Sequence, residues 1–133
     1  MISFKNDYSE GACQEILDAL VKTNFEQTLG YGEDKYCQKA KDLIREQLNN
    51  TDVDIYFLVG GTQTNTTVIS HCLRPYEAVI ACKTGHISIH ETGAIEATGH
   101  KVIHVDGVNG KLTTDLILEE LKNHEDHHMV KPK

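Results

Sequence analysis

The segment Asp54-Ile55-Tyr56-Phe57-Leu58-Val59 runs into Gly60-Gly61 and then directly into Thr62-Gln63-Thr64-Asn65. Its apolar residues alternate at first and become continuous, the pattern of a strand buried on both faces of a parallel sheet. The glycine pair stops it abruptly. Beyond the glycines, Val68, Ile69, Cys72 and Leu73 recur at helical spacing, so residues 62–73 are expected as a helix. A strand that turns at glycines into a helix is half of a βαβ unit, and the flanking sequence continues that grammar.

Downstream, residues 78–81 read as a second short buried strand, 87–97 as a helix rich in small residues and 100–105 as a third strand. Asp106-Gly107-Val108-Asn109-Gly110 is turn chemistry, and a last helix is expected over 114–123. Met129-Val130 reads as the start of another strand. Upstream, Ile16, Leu17, Ala19 and Leu20 give a helix over 10–23 with Ser9 as its N-cap. The loop from Leu29 to Asp34 carries Gly30 and Gly32, which signal unusual backbone angles. Tyr36, Ala40, Leu43, Ile44 and Leu48 then define a longer amphipathic helix over 33–49. The expected fold is α/β, a mostly parallel sheet with helices on both faces. Three strands and a stub, after two helices with apolar faces, read as the N-terminal portion of a larger architecture. The expected domain content of residues 1–133 is therefore an N-terminal segment plus part of a large domain.

Composition narrows the function. The 133 residues include 13 Lys and Arg against 20 Asp and Glu, a formal charge of −7, which disfavours binding to phosphate backbones. No apolar run approaches the ~20 residues of a membrane span, and no signal pattern opens the chain; a cytoplasmic location is expected. Cys13, Cys37, Cys72 and Cys82 form no C-x-x-C pair and read as free, partly buried thiols.

Chemistry is expected at two places. The first-turn N–H groups of the helix after Gly60-Gly61 have no intrahelical partners and sit in positive potential, so this turn is an anion cradle with Thr62 and Thr64 as hydroxyl donors. An ordinary capped turn would look the same in sequence. No Lys-Ser/Thr follows the glycines and no G-x-G-x-x-G is present, which excludes the common nucleotide loops. The second place is Lys83-Thr84-Gly85-His86-Ile87-Ser88-Ile89-His90-Glu91-Thr92-Gly93-Ala94. It follows the second strand, and ligands of open α/β sheets bind beyond the carboxyl ends of strands. His86 there can stack on a planar ring or exchange protons near neutral pH. His86 and His90, four apart beside Glu91, lack the H-E-x-x-H order of a zinc site, and the cluster from His124 to His128 reads as a solvated helix end. No metal is expected.

These segments, in this order, resemble the low-specificity threonine aldolase and β-eliminating lyase family, which belongs to the aspartate-aminotransferase-like superfamily using pyridoxal phosphate (PLP). The resemblance begins with Phe4-Lys5-Asn6-Asp7-Tyr8 and continues through Tyr31-Gly32-Glu33-Asp34. It also includes Gly60-Gly61-Thr62-Gln63-Thr64-Asn65 and the segment from Thr84 to Ala94. It implies a PLP-dependent transferase-like large domain and cleavage of a β-hydroxy amino acid to glycine and an aldehyde, or a related β-elimination. By the same resemblance Gly61 and Thr62 hold the cofactor phosphate, while His86 stacks on its ring and steers proton transfer. Glu91 matches an acidic position near that site. Asn6 stands near the substrate carboxylate, where threonine aldolases usually carry serine. Tyr31 belongs to a segment that reaches the neighbouring subunit in family homodimers or homotetramers.

PLP chemistry also needs a lysine for the Schiff base and an acidic partner for the pyridinium nitrogen. The family places both downstream, and no lysine here stands in the matching context. The expectation is a fragment with no turnover alone. The alternative is a non-catalytic phosphate-ligand-binding or interaction fragment.

Overall fold

The computed structural model describes residues 3–6 and 8–133, so Asp7 of the first family-like segment lies outside the described residues. The chain divides into two compact units, residues 1–56 and 57–133.

The first unit carries two helices. α1 spans Gln14–Thr23. Its N-cap is Cys13, whose carbonyl accepts from the N–H groups of Ile16 and Leu17 at 3.1 Å each; the expectation that Ser9 caps it is corrected. The helix starts late because Gly11 and its neighbours do not take up helical backbone, and glycine pays the largest entropy cost to do so. α2 spans Lys35–Leu48. Asp34 caps it, its Oδ1 accepting from the N–H groups of Tyr36 and Cys37 at 2.9 Å each. Asn49 ends it in left-handed backbone at φ 48°. Among the described residues of this unit none is buried, and Ile16, Leu20, Leu43 and Leu48 remain exposed.

The second unit holds a three-stranded, all-parallel sheet. Its strands are β1 at Glu77–Cys82, β2 at Lys101–Val105 and β3 at Lys131–Pro132, in the order β2-β1-β3. β1 pairs with β2 from Ala78↔Lys101 to Cys82↔Val105, and with β3 at Glu77↔Lys131 and Ala78↔Pro132. The expected strands at 78–81 and 100–105 are present; the last begins two residues beyond Met129. Side chains alternate across the sheet. On one face Ala78, Ile103 and Val105 pack with Ile80, Leu112, Val130 and Leu116 of α5 (Thr114–Lys122). On the other, Ala81, Val102 and Ile95 pack with Val79, Ile69 of α3 (Gly61–Cys72) and Ile87 of α4 (His86–Ile89). Helices therefore cover both faces, as expected for an α/β fold.

Two expectations fail. Residues 53–59 form no strand among the described residues, and Tyr56 and Val59 are exposed. A strand exists only where another pairs with it, and no described strand lies beside this segment. The helix expected over 87–97 is a single turn, α4, followed by a tight bend and the 3-10 turn Glu96–Thr98. Thr92 and Gly93 take positive φ, 54° and 74°, which no α-helix accommodates. Asn109 and Gly110, at φ 51° and 75°, make a two-residue hairpin turn between the reciprocal backbone bonds of Val108 and Lys111. No described helix is long and apolar enough to cross a membrane.

Ile95 is wholly buried. Ile95→Ala should therefore lower the unfolding free energy by about 2–5 kcal/mol, read from urea titration followed by circular dichroism. A second outcome concerns acid. The Cys37 thiol, then the N–H groups of Cys37 and Tyr36, hold the Asp34 carboxyl below its ordinary 3.8. A depressed carboxyl contributes stability above its unfolded value and loses it as pH falls through the folded one. Helicity of α2 should thus decline below pH 3.8, and Asp34→Ala should flatten that part of the dichroism curve.

Candidate functional site

α3 opens at Gly60, which has extended backbone and offers no side chain to the first-turn amides. The N–H groups of Gly61, Thr62 and Gln63 are therefore left without an intrahelical or capping acceptor. Gln63 Oε1 instead reaches back to the Val59 N–H at 3.0 Å, steadying the entry to the turn. Of the two expected hydroxyl donors, Thr64 is already engaged: its Oγ1 donates to the Gly60 carbonyl at 3.0 Å, the usual recourse of a threonine inside a helix. The Thr62 hydroxyl has no such engagement among the described residues. Gly61 and Thr62 are both exposed.

β1 ends at Cys82, and Thr84-Gly85 turn the chain into α4. Ser88 Oγ donates to the Cys82 carbonyl at 2.9 Å, and the Gly85 N–H donates to the same oxygen at 2.7 Å. This turn places His86 beyond the carboxyl end of β1, with its side chain 63% exposed. Its Nδ1 lies 2.9 Å from Glu91 Oε1, and Asn65 Nδ2 of α3 donates to that same oxygen at 2.6 Å. The Glu91 side chain is wholly buried, and among the described residues its Oε2 has no hydrogen-bond partner. Glu91 is thus the joint between α3 and the His86 turn. It brings the open helix amides and an exposed imidazole to one end and one face of the sheet. The His90 ring lies alongside, 5.5 Å between centroids.

Asn6 and Tyr31 belong to the first unit. Asn6 Oδ1 accepts from the Tyr8 N–H at 3.2 Å. Tyr31 is fully exposed and held at φ 61° next to Gly32 at φ 76°, an uncommon conformation for an aromatic residue. Lys83 Nζ pairs with Asp106 Oδ2 at 2.6 Å across the ends of β1 and β2. His124 is buried rather than solvated: its Nδ1 lies 3.0 Å from the Glu120 carbonyl. Among the described residues no group of three His, Cys, Asp or Glu side chains converges as a metal site. All four cysteines are free; Cys82 is buried and Cys37 half-buried, but Cys13 and Cys72 are exposed. The sequence motif alone assigns Asn65 no role. Nothing in its spacing reveals that it meets Glu91, 26 positions on.

The second unit is thus a parallel α/β sheet with open helix amides and a braced imidazole at one end. The chain belongs to the beta-eliminating lyase family, whose model matches residues 4–133. It is 33% identical over 132 residues to the low specificity L-threonine aldolase of a Pseudomonas sp., spanning 98% of this chain and 38% of that relative. The low specificity L-threonine aldolase of Pseudomonas aeruginosa is 31% identical over the same share of each chain. A solved structure of Leishmania major threonine aldolase superimposes with a TM-score of 0.93 at 52% identity, covering 96% of this chain and 37% of that one. The chain therefore spans a little over a third of the length of the relatives it matches.

Gly85 tests the geometry. A Cβ added there would lie 2.9 Å from the Cys82 carbonyl oxygen, a backbone atom that cannot swing away. Gly85→Ala should displace the His86 turn, shifting the His86 and Glu91 resonances in an NMR spectrum while those of β2 stay in place.

Proposed function

We propose that this stretch is the phosphate- and ring-holding part of a PLP-dependent lyase. The activity we assign to the whole protein is cleavage of a β-hydroxy amino acid to glycine and an aldehyde, or a related β-elimination. The observation that carries this reading is the Asn65–Glu91–His86 linkage, which fixes an exposed imidazole beside the uncapped turn of α3. The residues fit the cofactor. The N–H groups of Gly61 and Thr62, with the Thr62 hydroxyl, suit a phosphate monoester. The flat exposed ring of His86 suits an aromatic pyridine face.

When bound, the cofactor supplies an electron sink for bonds broken at the substrate α-carbon. The chain's own residues orient it. His86, engaged through Nδ1, keeps Nε2 available to hold or pass a proton at the substrate. Glu91 lies behind the ring, wholly buried on its Nδ1 side; a direct place for it at the substrate is carried by the family likeness alone. Asn6 and Tyr31, in the first unit, are carried as substrate-binding positions by the family likeness alone; the Asn6 amide can donate a hydrogen bond as a serine would. The large domain of the family is completed by residues outside this stretch, the whole protein acts as a homodimer or homotetramer, and it resides in the cytoplasm.

The test compares ligands on this polypeptide. In equilibrium dialysis PLP should be retained more tightly than a simple sugar phosphate, and His86→Ala should abolish the difference. Equal retention of both ligands by the unaltered chain would leave a general phosphate-binding segment instead. Acetaldehyde release from L-threonine with added PLP should be absent, because no lysine here stands in a Schiff-base context. Turnover that disappears in Lys83→Ala would overturn this second expectation.

A further inference from the structure

A wholly buried carboxylate with one oxygen unpartnered is costly to keep, and its surroundings show what it is kept for. Glu91 Oε1 accepts from Asn65 Nδ2 at 2.6 Å and lies 2.9 Å from His86 Nδ1. Oε2 finds no partner among the described residues. The next residue, Thr92, is held at φ 54°, a rare conformation for a β-branched side chain. The bend that seats the carboxylate is therefore maintained against local preference. The three side chains come from α3, from α4 and from the bend that follows it.

We propose that Glu91 is a positioning residue for His86, itself oriented by Asn65, and that together they fix the imidazole as the Nδ1–H tautomer. The logic is one of donors and acceptors. An Oε1 that accepts from the Asn65 amide presents lone pairs, not a proton, toward the ring. Nδ1 must then carry the hydrogen, and Nε2 is left bare on the exposed side. A carboxylate that sets a histidine's tautomer through the far nitrogen is a recurrent way of readying the near one. Asn65 makes the carboxylate unable to rotate away. It also couples the first turns of the helix with open amides to the ring, so that both halves of the ligand-holding end keep one spacing. What the bare Nε2 does toward a bound ring rests on the cofactor reading above; the tautomer itself does not.

The experiment reads ring nitrogens directly. With isotope-labelled histidine, the chain is recorded above the titration range of imidazoles, and the His86 signal is identified by its loss in His86→Gln. Nδ1 should appear as the protonated nitrogen and Nε2 as the bare one. Glu91→Met removes the acceptor while keeping much of the volume, and should shift His86 toward the Nε2–H tautomer that free imidazole side chains favour. Should Glu91→Met unfold by circular dichroism because the Asn65 amide loses its acceptor, Asn65→Ala/Glu91→Met removes both groups and should give the same shift. An Nε2–H ring in the unaltered chain overturns the proposal, as does a tautomer unchanged in whichever variant folds. PLP dialysis on the same samples separates the two ideas. A chain with Nδ1–H that does not prefer PLP keeps the positioning role and loses the cofactor reading.

Discussion

The second unit depends on β1 being hydrogen-bonded along both edges. Glu77–Cys82 is the only described strand with neighbours on both sides, and its small side chains let helices approach from above and below. Ala78 belongs to the cluster that Leu116 of α5 packs against, and Ala81 to the one that Ile69 of α3 packs against. Each face gathers a few apolar residues, so the fold rests on two thin cores with the strand between them. A parallel sheet of this kind places every strand's carboxyl end at one edge. That edge is where Cys82 hands over to Thr84-Gly85-His86. Topology thus sets residue 86 at that edge before any side chain is considered.

A second constraint ties that edge together. Beyond Glu91, α3 and the His86 turn meet through an apolar cluster that Ile69 and Ile87 both pack against, and such packing is tolerant of sliding and rotation. Hydrogen bonds to a buried carboxylate are directional, and in a low-dielectric setting they are strong when made and costly when broken. The orphaned Oε2 shows that the arrangement is not optimised for stability alone. The same holds for Thr92 and Tyr31, both in left-handed backbone.

Much of this was legible in the residues. The run at 78–81 is continuously apolar, as suits a strand covered on both faces, and 100–105 sets Val102, Ile103 and Val105 among His100, Lys101 and His104. Three- and four-residue spacing gives the helix expected over 33–49 and observed at Lys35–Leu48, whereas the caps at Asp34 and Thr113 emerge only from the structure. Residues 53–59 carry an equally good strand signal, yet pairing is a property of two segments and the sequence of one cannot supply the other. The break after Ile89 was hidden for a different reason: Thr92 gives no local hint that its φ is positive. The candidate site was half visible. Gly61, Thr62 and His86 stand out by position after strands and turns, whereas Asn65 acquires meaning only when folding sets it against a carboxylate 26 residues away.

The packing at Gly107 has a practical corollary for anyone attaching a probe to this chain. The Cys82 thiol sits where a Cβ at residue 107 would come within 2.7 Å of its sulfur, and hydrogen bonding to Thr84 makes it more acidic than an ordinary thiol. Reactivity toward maleimides or iodoacetamide requires both thiolate and an approach path, and at Cys82 the path is closed by backbone. Fluorophores will therefore settle first on the exposed Cys13 and Cys72, with the half-buried Cys37, made less acidic by its hydrogen bond to Asp34, slower to react, and the sheet is left untouched.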